Sequence, residues 1–225
     1  MNLTAQRGKF LATPEKGEVS SLLMLPPQAK ALLVFGHGAG AGMDHQTMEN
    51  IAQNMAHSQI ATFRYNFPYM ERGGGRDTNA VSLATVQAAV HEAKKYAGKL
   101  PVLAGGHSFG GRMTSLAAAE GMIDEVKGLI FCSFPLHAPG KASADRATHM
   151  GKIKQPMLFL SGTRDTFISP DFFLPLIESL GEKATLHSLE TADHGYKTLK
   201  KTRQNPEDVF AEMARVAGEW VDKTI

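Results

Sequence analysis

The stretch Val102-Leu103-Ala104-Gly105-Gly106-His107-Ser108-Phe109-Gly110-Gly111 decides the fold. It runs from apolar residues into a G-x-S-x-G pentapeptide. It then enters Arg112-Met113-Thr114-Ser115-Leu116-Ala117-Ala118-Ala119-Glu120, which is alanine-rich, free of proline and stopped by Gly121. That order predicts a buried strand, a sharp turn and a helix. In such a turn a serine sits on strained backbone that lifts its hydroxyl clear at the top of a sheet. Glycines two positions either side are required, because strand and helix crowd those points and leave no room for a Cβ. A glycine-rich turn that merely happens to hold a serine would lack this context.

Outward from this point, short apolar runs alternate with longer helical stretches, the pattern of a mainly parallel sheet covered on both faces. Strands are expected at 18–25, 31–35, 60–65, 102–104, 127–132, 157–161 and 185–189, and helices at 46–58, 79–97, 109–119, 171–180 and 206–223. The last four strands show little alternation, as expected when both faces are buried. The stretch 134–154 has no clear element, so only a small cap, or none, is expected over the sheet edge. No repeat or linker interrupts the chain, and residues 1–225 read as one domain.

The bulk properties exclude several functions. Lys and Arg number 24 against 22 Asp and Glu, so there is no electrostatic case for nucleic acid or an anionic membrane. The lone cysteine, Cys132, reads as a buried strand residue and permits no disulfide within the chain. The start Met1-Asn2-Leu3-Thr4-Ala5-Gln6-Arg7-Gly8-Lys9-Phe10 has no apolar core of a signal peptide, and no apolar run approaches a membrane span. A soluble, cytoplasmic protein, monomeric or a homodimer, is the expectation.

A serine hydroxyl needs a base to take its proton and an acid to orient that base. Asp165 follows the run Met157-Leu158-Phe159-Leu160-Ser161, and His194 follows Ala184-Thr185-Leu186-His187-Ser188-Leu189. Both therefore fall at the C-terminal edge of the sheet, where open α/β sheets bind ligands. The chain order serine, acid, histidine makes Ser108, Asp165 and His194 the candidate catalytic set. Asp193 and Asp171 are rival acids, although Asp193 adjoins the histidine and should point away from it. His187 lies within a strand and reads as structural.

Two N–H groups should hold the oxyanion: that of Phe109, and that of Ala39 in the loop Gly36-His37-Gly38-Ala39-Gly40-Ala41-Gly42. The same loop mimics a dinucleotide fingerprint, but Met43-Asp44-His45 delays the helix and no acid ends the following strand to hold a ribose. His37, Asp44 and His45 have metal-ligating side chains at a spacing that matches no ligand pattern, so they read as loop-shaping residues and no metal is expected. His37, Arg64, Phe67 and His137 are candidate substrate contacts. Arg112 reads first as the structural partner of an acid such as Asp44, and second as a source of positive charge in the pocket.

These motifs resemble the α/β-hydrolase superfamily along nearly the whole chain. More narrowly, the chain resembles the dienelactone-hydrolase-like branch. Within it, the likeness is to small bacterial relatives of the testis-expressed hydrolase-like proteins and of a regulatory subunit of the NSL histone-acetyltransferase complex. The segments 36–45, 64–70, 105–113 and 134–141 carry that narrower likeness. The resemblance implies a single-domain α/β-hydrolase fold, doubly wound and mainly parallel. It also implies a serine-hydrolase mechanism on Ser108, Asp165 and His194 and leaves the substrate open; no cofactor is expected, and the short stretch 134–154 favours a small, soluble ester as the small-molecule substrate. Dienelactone hydrolases proper use a cysteine nucleophile where this chain has Ser108, so their substrate does not carry over. A carboxylesterase is the leading expectation. A non-catalytic interaction module on the same fold and a serine-dependent acyltransferase or peptidase are the alternatives.

Overall fold

The computed structural model describes residues 3–138 and 140–225. Met1 and Asn2 of the N-terminal reading, and Pro139 of the segment 134–141, lie outside the described residues. Eight strands form one sheet: β1 Gln6–Thr13, β2 Gly17–Met24, β3 Ala31–Gly36, β4 Ile60–Tyr65, β5 Val102–His107, β6 Leu129–Cys132, β7 Met157–Gly162 and β8 Ala184–Leu189. Their spatial order is β1-β2-β4-β3-β5-β6-β7-β8, with β1 and β2 antiparallel and every pairing from β4 to β8 parallel. Among the described residues six α-helices accompany the sheet: α1 Gln46–His57, α2 Pro68–Arg72, α3 Asn79–Ala97, α4 Phe109–Ala119, α5 Pro170–Leu180 and α6 Val209–Thr224. Among the described residues, no helix is long and apolar enough to cross a membrane.

The central strands are buried on both sides, and their alternation sorts side chains between two cores. Ala31, Leu33 and Phe35 of β3 join Met48, Ile51 and Met55 of α1 and Met213, Ala217 and Trp220 of α6. Leu32 and Val34 face the opposite way, into a core shared with Val86 and Val90 of α3 and Met113 and Ala117 of α4. Truncating a residue such as Leu33 or Phe35 to alanine should cost about 2–5 kcal/mol, since neither layer can collapse into the cavity. The chain leaves β3 through α1 on one face, returns in β4, and then crosses β3 through α3 on the other face to reach β5. This reversal opens a crevice at the C-terminal ends of β3 and β5, where Gly36 stands opposite Gly106.

Four elements depart from expectation. β8, read as buried on both faces, is an edge strand in which only Leu189 is buried. β1 was not anticipated because most of its residues are exposed; pairing with β2 creates this edge strand, and only Phe10, Ala12 and Thr13 turn inward. α2 is too short, at 5 residues, for a helical period to show. α6 begins at Val209 instead of 206, because the Asp208 carboxylate accepts the N–H groups of Phe210 and Ala211 and so fixes the start there. The stretch 134–154 folds into a short flap with two single turns of 3-10 helix, Asp145–Ala147 and Met150–Lys152. Phe134, Leu136, Ala147 and Met150 anchor it in the core.

Candidate active site

Ser108 sits between β5 and α4 at φ 51, ψ −110, a backbone region that non-glycine residues rarely occupy. The turn is locked from both sides: the Ser108 N–H donates to the carbonyl of Cys132 at 2.9 Å, and the Ser108 carbonyl accepts the N–H of Arg112 at 3.0 Å. A Cβ at Gly106 would lie 2.6 Å from the carbonyl oxygen of Gly36 and from backbone of Gly110 and Gly111. One at Gly110 would lie 2.2 Å from the Gly36 oxygen. The pentapeptide glycines are therefore demanded by the approach of three backbone segments.

Oγ of Ser108 lies 2.9 Å from Nε2 of His194, and Nδ1 of His194 lies 2.8 Å from Oδ2 of Asp165. A carboxylate only accepts, so Nδ1 carries the proton and Nε2 is left to accept from the serine hydroxyl. The other oxygen of Asp165 accepts the N–H of Phe167 at 2.9 Å, and the carboxylate side chain is fully buried. The loops carrying Asp165 and His194 touch directly; a Cβ at Gly162 would fall 2.3 Å from the carbonyl oxygen of Ala192. The Phe167 ring covers the imidazole, with centroids 4.4 Å apart. Nε2 of His107 donates to the carbonyl of His194 at 3.0 Å, fixing the peptide that carries the imidazole.

The rival acids are engaged elsewhere or absent from the pocket. Oδ1 of Asp193 accepts the N–H groups of Gly195 and Lys197 and thereby caps its own turn. Asp171 belongs to the exposed first turn of α5. His187, in β8, pairs with Glu212 at 2.8 Å. Cys132 is buried in β6, where desolvation pushes its thiol up to about 12.

A pocket of 510 Å³ opens above Ser108 and His194, lined in part by Ala39, Met48, Phe109, Pro135 and Phe167. None of the four expected substrate contacts lines it. Arg64 is fully buried; it donates to the carbonyl of Met43 and pairs with Glu49 at 2.7 Å, tying α1 to β4. Phe67 is equally buried and packs edge-on against Phe109 at 5.1 Å. His137 is buried in the flap, and its carbonyl accepts from Arg146. The expectation fails for one shared reason: these side chains support the pocket wall from behind.

His37 is the clearest case. Its Nδ1 donates to the carbonyl of Gly38 at 2.7 Å, and its Nε2 accepts the N–H of Phe67 at 3.0 Å. Both bonds require a neutral ring, and burial pushes its pKa down to about 4. In a trans peptide C=O and N–H point in opposite directions. Anchoring the Gly38 carbonyl therefore turns the N–H of Ala39 away from His37, and the Tyr69 hydroxyl holds the next carbonyl, that of Ala39, at 3.0 Å. Phe109 opens α4, so its N–H has no acceptor within the helix. The two expected oxyanion donors thus stand on either side of the β3–β5 crevice.

Asp44 and His45 do not gather with His37. Asp44 pairs with Arg7, and Nδ1 of His45 caps α1 by accepting the N–H of Thr47. Arg112 does not pair with Asp44; it faces the pocket instead. Sequence reasoning missed Arg76, Arg146 and Phe167 as pocket residues. Arg146 left one signal, as the sole arginine of the flap stretch 134–154.

A mostly parallel, doubly wound sheet with a serine at this strand–helix turn is the architecture of the α/β-hydrolases. The chain belongs to that family: the family described as "Alpha/beta hydrolase domain" matches residues 29–222. Its fold is similar to that of dienelactone hydrolase from Anabaena variabilis, at TM-score 0.74 and 17% identity, covering 99% of each chain. It is likewise similar to Est1E from Butyrivibrio proteoclasticus, at TM-score 0.72 and 16% identity over 98% of each chain. A third similar structure is XC6422 from Xanthomonas campestris, described as an a/b serine hydrolase without lid, at TM-score 0.67 and 16% identity over 98% of this chain and 93% of that one.

Proposed function

We propose that this protein is a serine hydrolase, a carboxylesterase that cleaves small esters through an acyl-enzyme. The observation that carries the reading is the unbroken line from Ser108 Oγ through His194 to the buried Asp165. Ser108 attacks the ester carbonyl while His194 Nε2 takes its proton, and Asp165 stabilises the imidazolium that results. The N–H groups of Phe109 and Ala39 receive the oxyanion. Collapse expels the alcohol, which leaves with the proton held on His194. Water, deprotonated by the same nitrogen, then releases the acid. A non-catalytic interaction module needs none of this alignment, and the partly exposed Ser108 at the floor of a pocket argues against one.

The short flap supports small substrates. It adds Pro135 and Arg146 to the rim but no apolar tunnel for a long acyl chain. The test is labelling with a fluorophosphonate, followed by hydrolysis of 4-nitrophenyl esters of rising chain length. Labelling of Ser108 with turnover of acetate and butyrate esters is expected. A protein that neither labels nor turns over any ester would end the proposal.

A further inference from the structure

Three arginines line the pocket that holds Ser108 and His194: Arg76 from the loop after α2, Arg112 from the first turn of α4 and Arg146 from the flap. Outside the pocket, most arginines are neutralised; the exception, Arg164, is exposed and donates to the carbonyl of Thr191 at 3.2 Å. Arg7, Arg64, Arg72, Arg203 and Arg215 each pair with an aspartate or glutamate. Among the described residues, Arg76, Arg112 and Arg146 form no ion pair, and no aspartate or glutamate lines the pocket. Asp77, adjacent to Arg76 in sequence, is already shared by Arg72 at 2.9 Å and Lys16 at 3.3 Å.

The cluster is held in place. The guanidinium of Arg76 lies 5.7 Å from the centroid of the Phe109 ring, a cation–π contact with the residue that offers an oxyanion N–H. Arg146 donates to the carbonyl of His137, which leaves the rest of its fork to the pocket. Arg112 follows Ser108 by one helical turn, and its Nε is buried without a partner. Burial, and then the charges of Arg146 and Arg76, hold its pKa below the ordinary arginine value. Converging like charges around a buried, unsatisfied donor are costly, and an oxyanion between them would relieve both costs.

We infer that the substrate is an acidic ester, one bearing a free carboxylate or phosphate that Arg76, Arg112 and Arg146 seat while Ser108 attacks its ester carbonyl. This rests on the serine-hydrolase reading and narrows it. The anion would lie about one helical turn from the nucleophile, so charge and ester belong on the same small molecule. The apolar floor of Met48, Phe109 and Phe167 receives the few carbons between them.

Three methyl esters test it: monomethyl glutarate, the shape-matched neutral methyl 5-methylhexanoate, and methyl 4-phosphonooxybutanoate, each followed by acid release. In the wild-type protein kcat/KM for at least one anionic ester should exceed that for the neutral ester by on the order of ten- to a hundredfold. The better of the two identifies the anion. That ratio should fall towards one in Arg112→Gln, less in Arg112→Lys, and likewise in Arg76→Gln and Arg146→Gln. Glutarate or inorganic phosphate should also slow phosphonate labelling of the wild type and fail to slow it in Arg112→Gln. If the wild type labels and cleaves the neutral ester as fast as both anionic ones, the acidic-ester inference is wrong and the esterase reading stands. If it neither labels nor cleaves any of the three, both fall. The wild-type ratio and protection need no variant to fold.

Discussion

Among the described residues two serine–histidine contacts occur, and the shorter is the inert one. Ser115 Oγ lies 2.7 Å from Nε2 of His149, against 2.9 Å between Ser108 and His194. Ser115 is fully buried within α4, and its hydroxyl donates to the carbonyl of Arg112 at 2.8 Å. A hydroxyl has one proton, so His149 must donate to Ser115 and cannot act as its base. Among the described residues no acid backs His149; burial and the neighbouring charges of Arg112 and Lys152 push its pKa down to about 4. Ser108 differs in each respect: strained backbone, a pocket above it, a free proton and a buried carboxylate behind its partner. Proximity to histidine does not make a nucleophile. The direction of the proton and the support behind the ring do.

The largest effect should separate the two serines. Ser108→Ala should abolish phosphonate labelling and lower kcat by on the order of 10⁶-fold, as loss of a triad nucleophile does. Ser115→Ala should retain labelling. Mass spectrometry of the labelled peptide decides it, and label on Ser115 would break the comparison.

Next in size is the acid. Asp165→Asn should lower kcat by about 10⁴-fold, because the amide favours the wrong tautomer of His194. The far-UV spectrum should not change. Asp193→Asn loses only a local cap. It should cost less than about tenfold, and the reverse ranking would move the acid's role to Asp193.

A smaller effect should come from behind the oxyanion loop. His37→Phe keeps the ring volume but releases the Gly38 carbonyl and with it the direction of the Ala39 N–H. A fall in kcat of about 10²-fold with KM little changed is the expected result, the pattern for one lost oxyanion donor. An increase confined to KM would instead return His37 to the substrate contacts.

How much of this was legible depended on where the information lies. Ser108, Asp165 and His194 were readable because each follows an apolar strand, and parallel strands deliver their C-terminal loops to one edge. The glycines of the loop after β3 marked a close approach of backbone to the serine turn. The roles of His37, Arg64, Phe67 and His137 were not, because a polar or aromatic residue near a motif looks the same in sequence whether it faces the pocket or backs its wall. Arg112 was misjudged for a related reason: the partner of Asp44 is Arg7, which comes from the unanticipated edge strand β1, and Arg112 lines the pocket. The tertiary neighbourhood decides such roles, and local pattern carries no trace of it.

The smallest prediction returns to the inert pair and concerns stability. His37 is held at about 4 in the fold against about 6.5 when unfolded, so between those values the unfolded chain binds more protons. Stability from this residue is therefore complete above about pH 6.5 and lost as pH falls towards 4, with a slope approaching 1.4 kcal/mol per pH unit. His107 and His149 are depressed in the same direction and steepen the fall. His149 is only partly buried, so solvent screens its share to less than that of His37. His149→Gln should then flatten the dependence of Tm on pH between 7 and 4.5 by less than one histidine's worth, whereas replacing His37 should flatten it by about one. Calorimetric scans at four or five pH values separate the two. An unchanged slope in His149→Gln would mean that its ring titrates in the fold as it does in the unfolded chain, and the argument that it stays neutral and serves Ser115 as a donor would then fall.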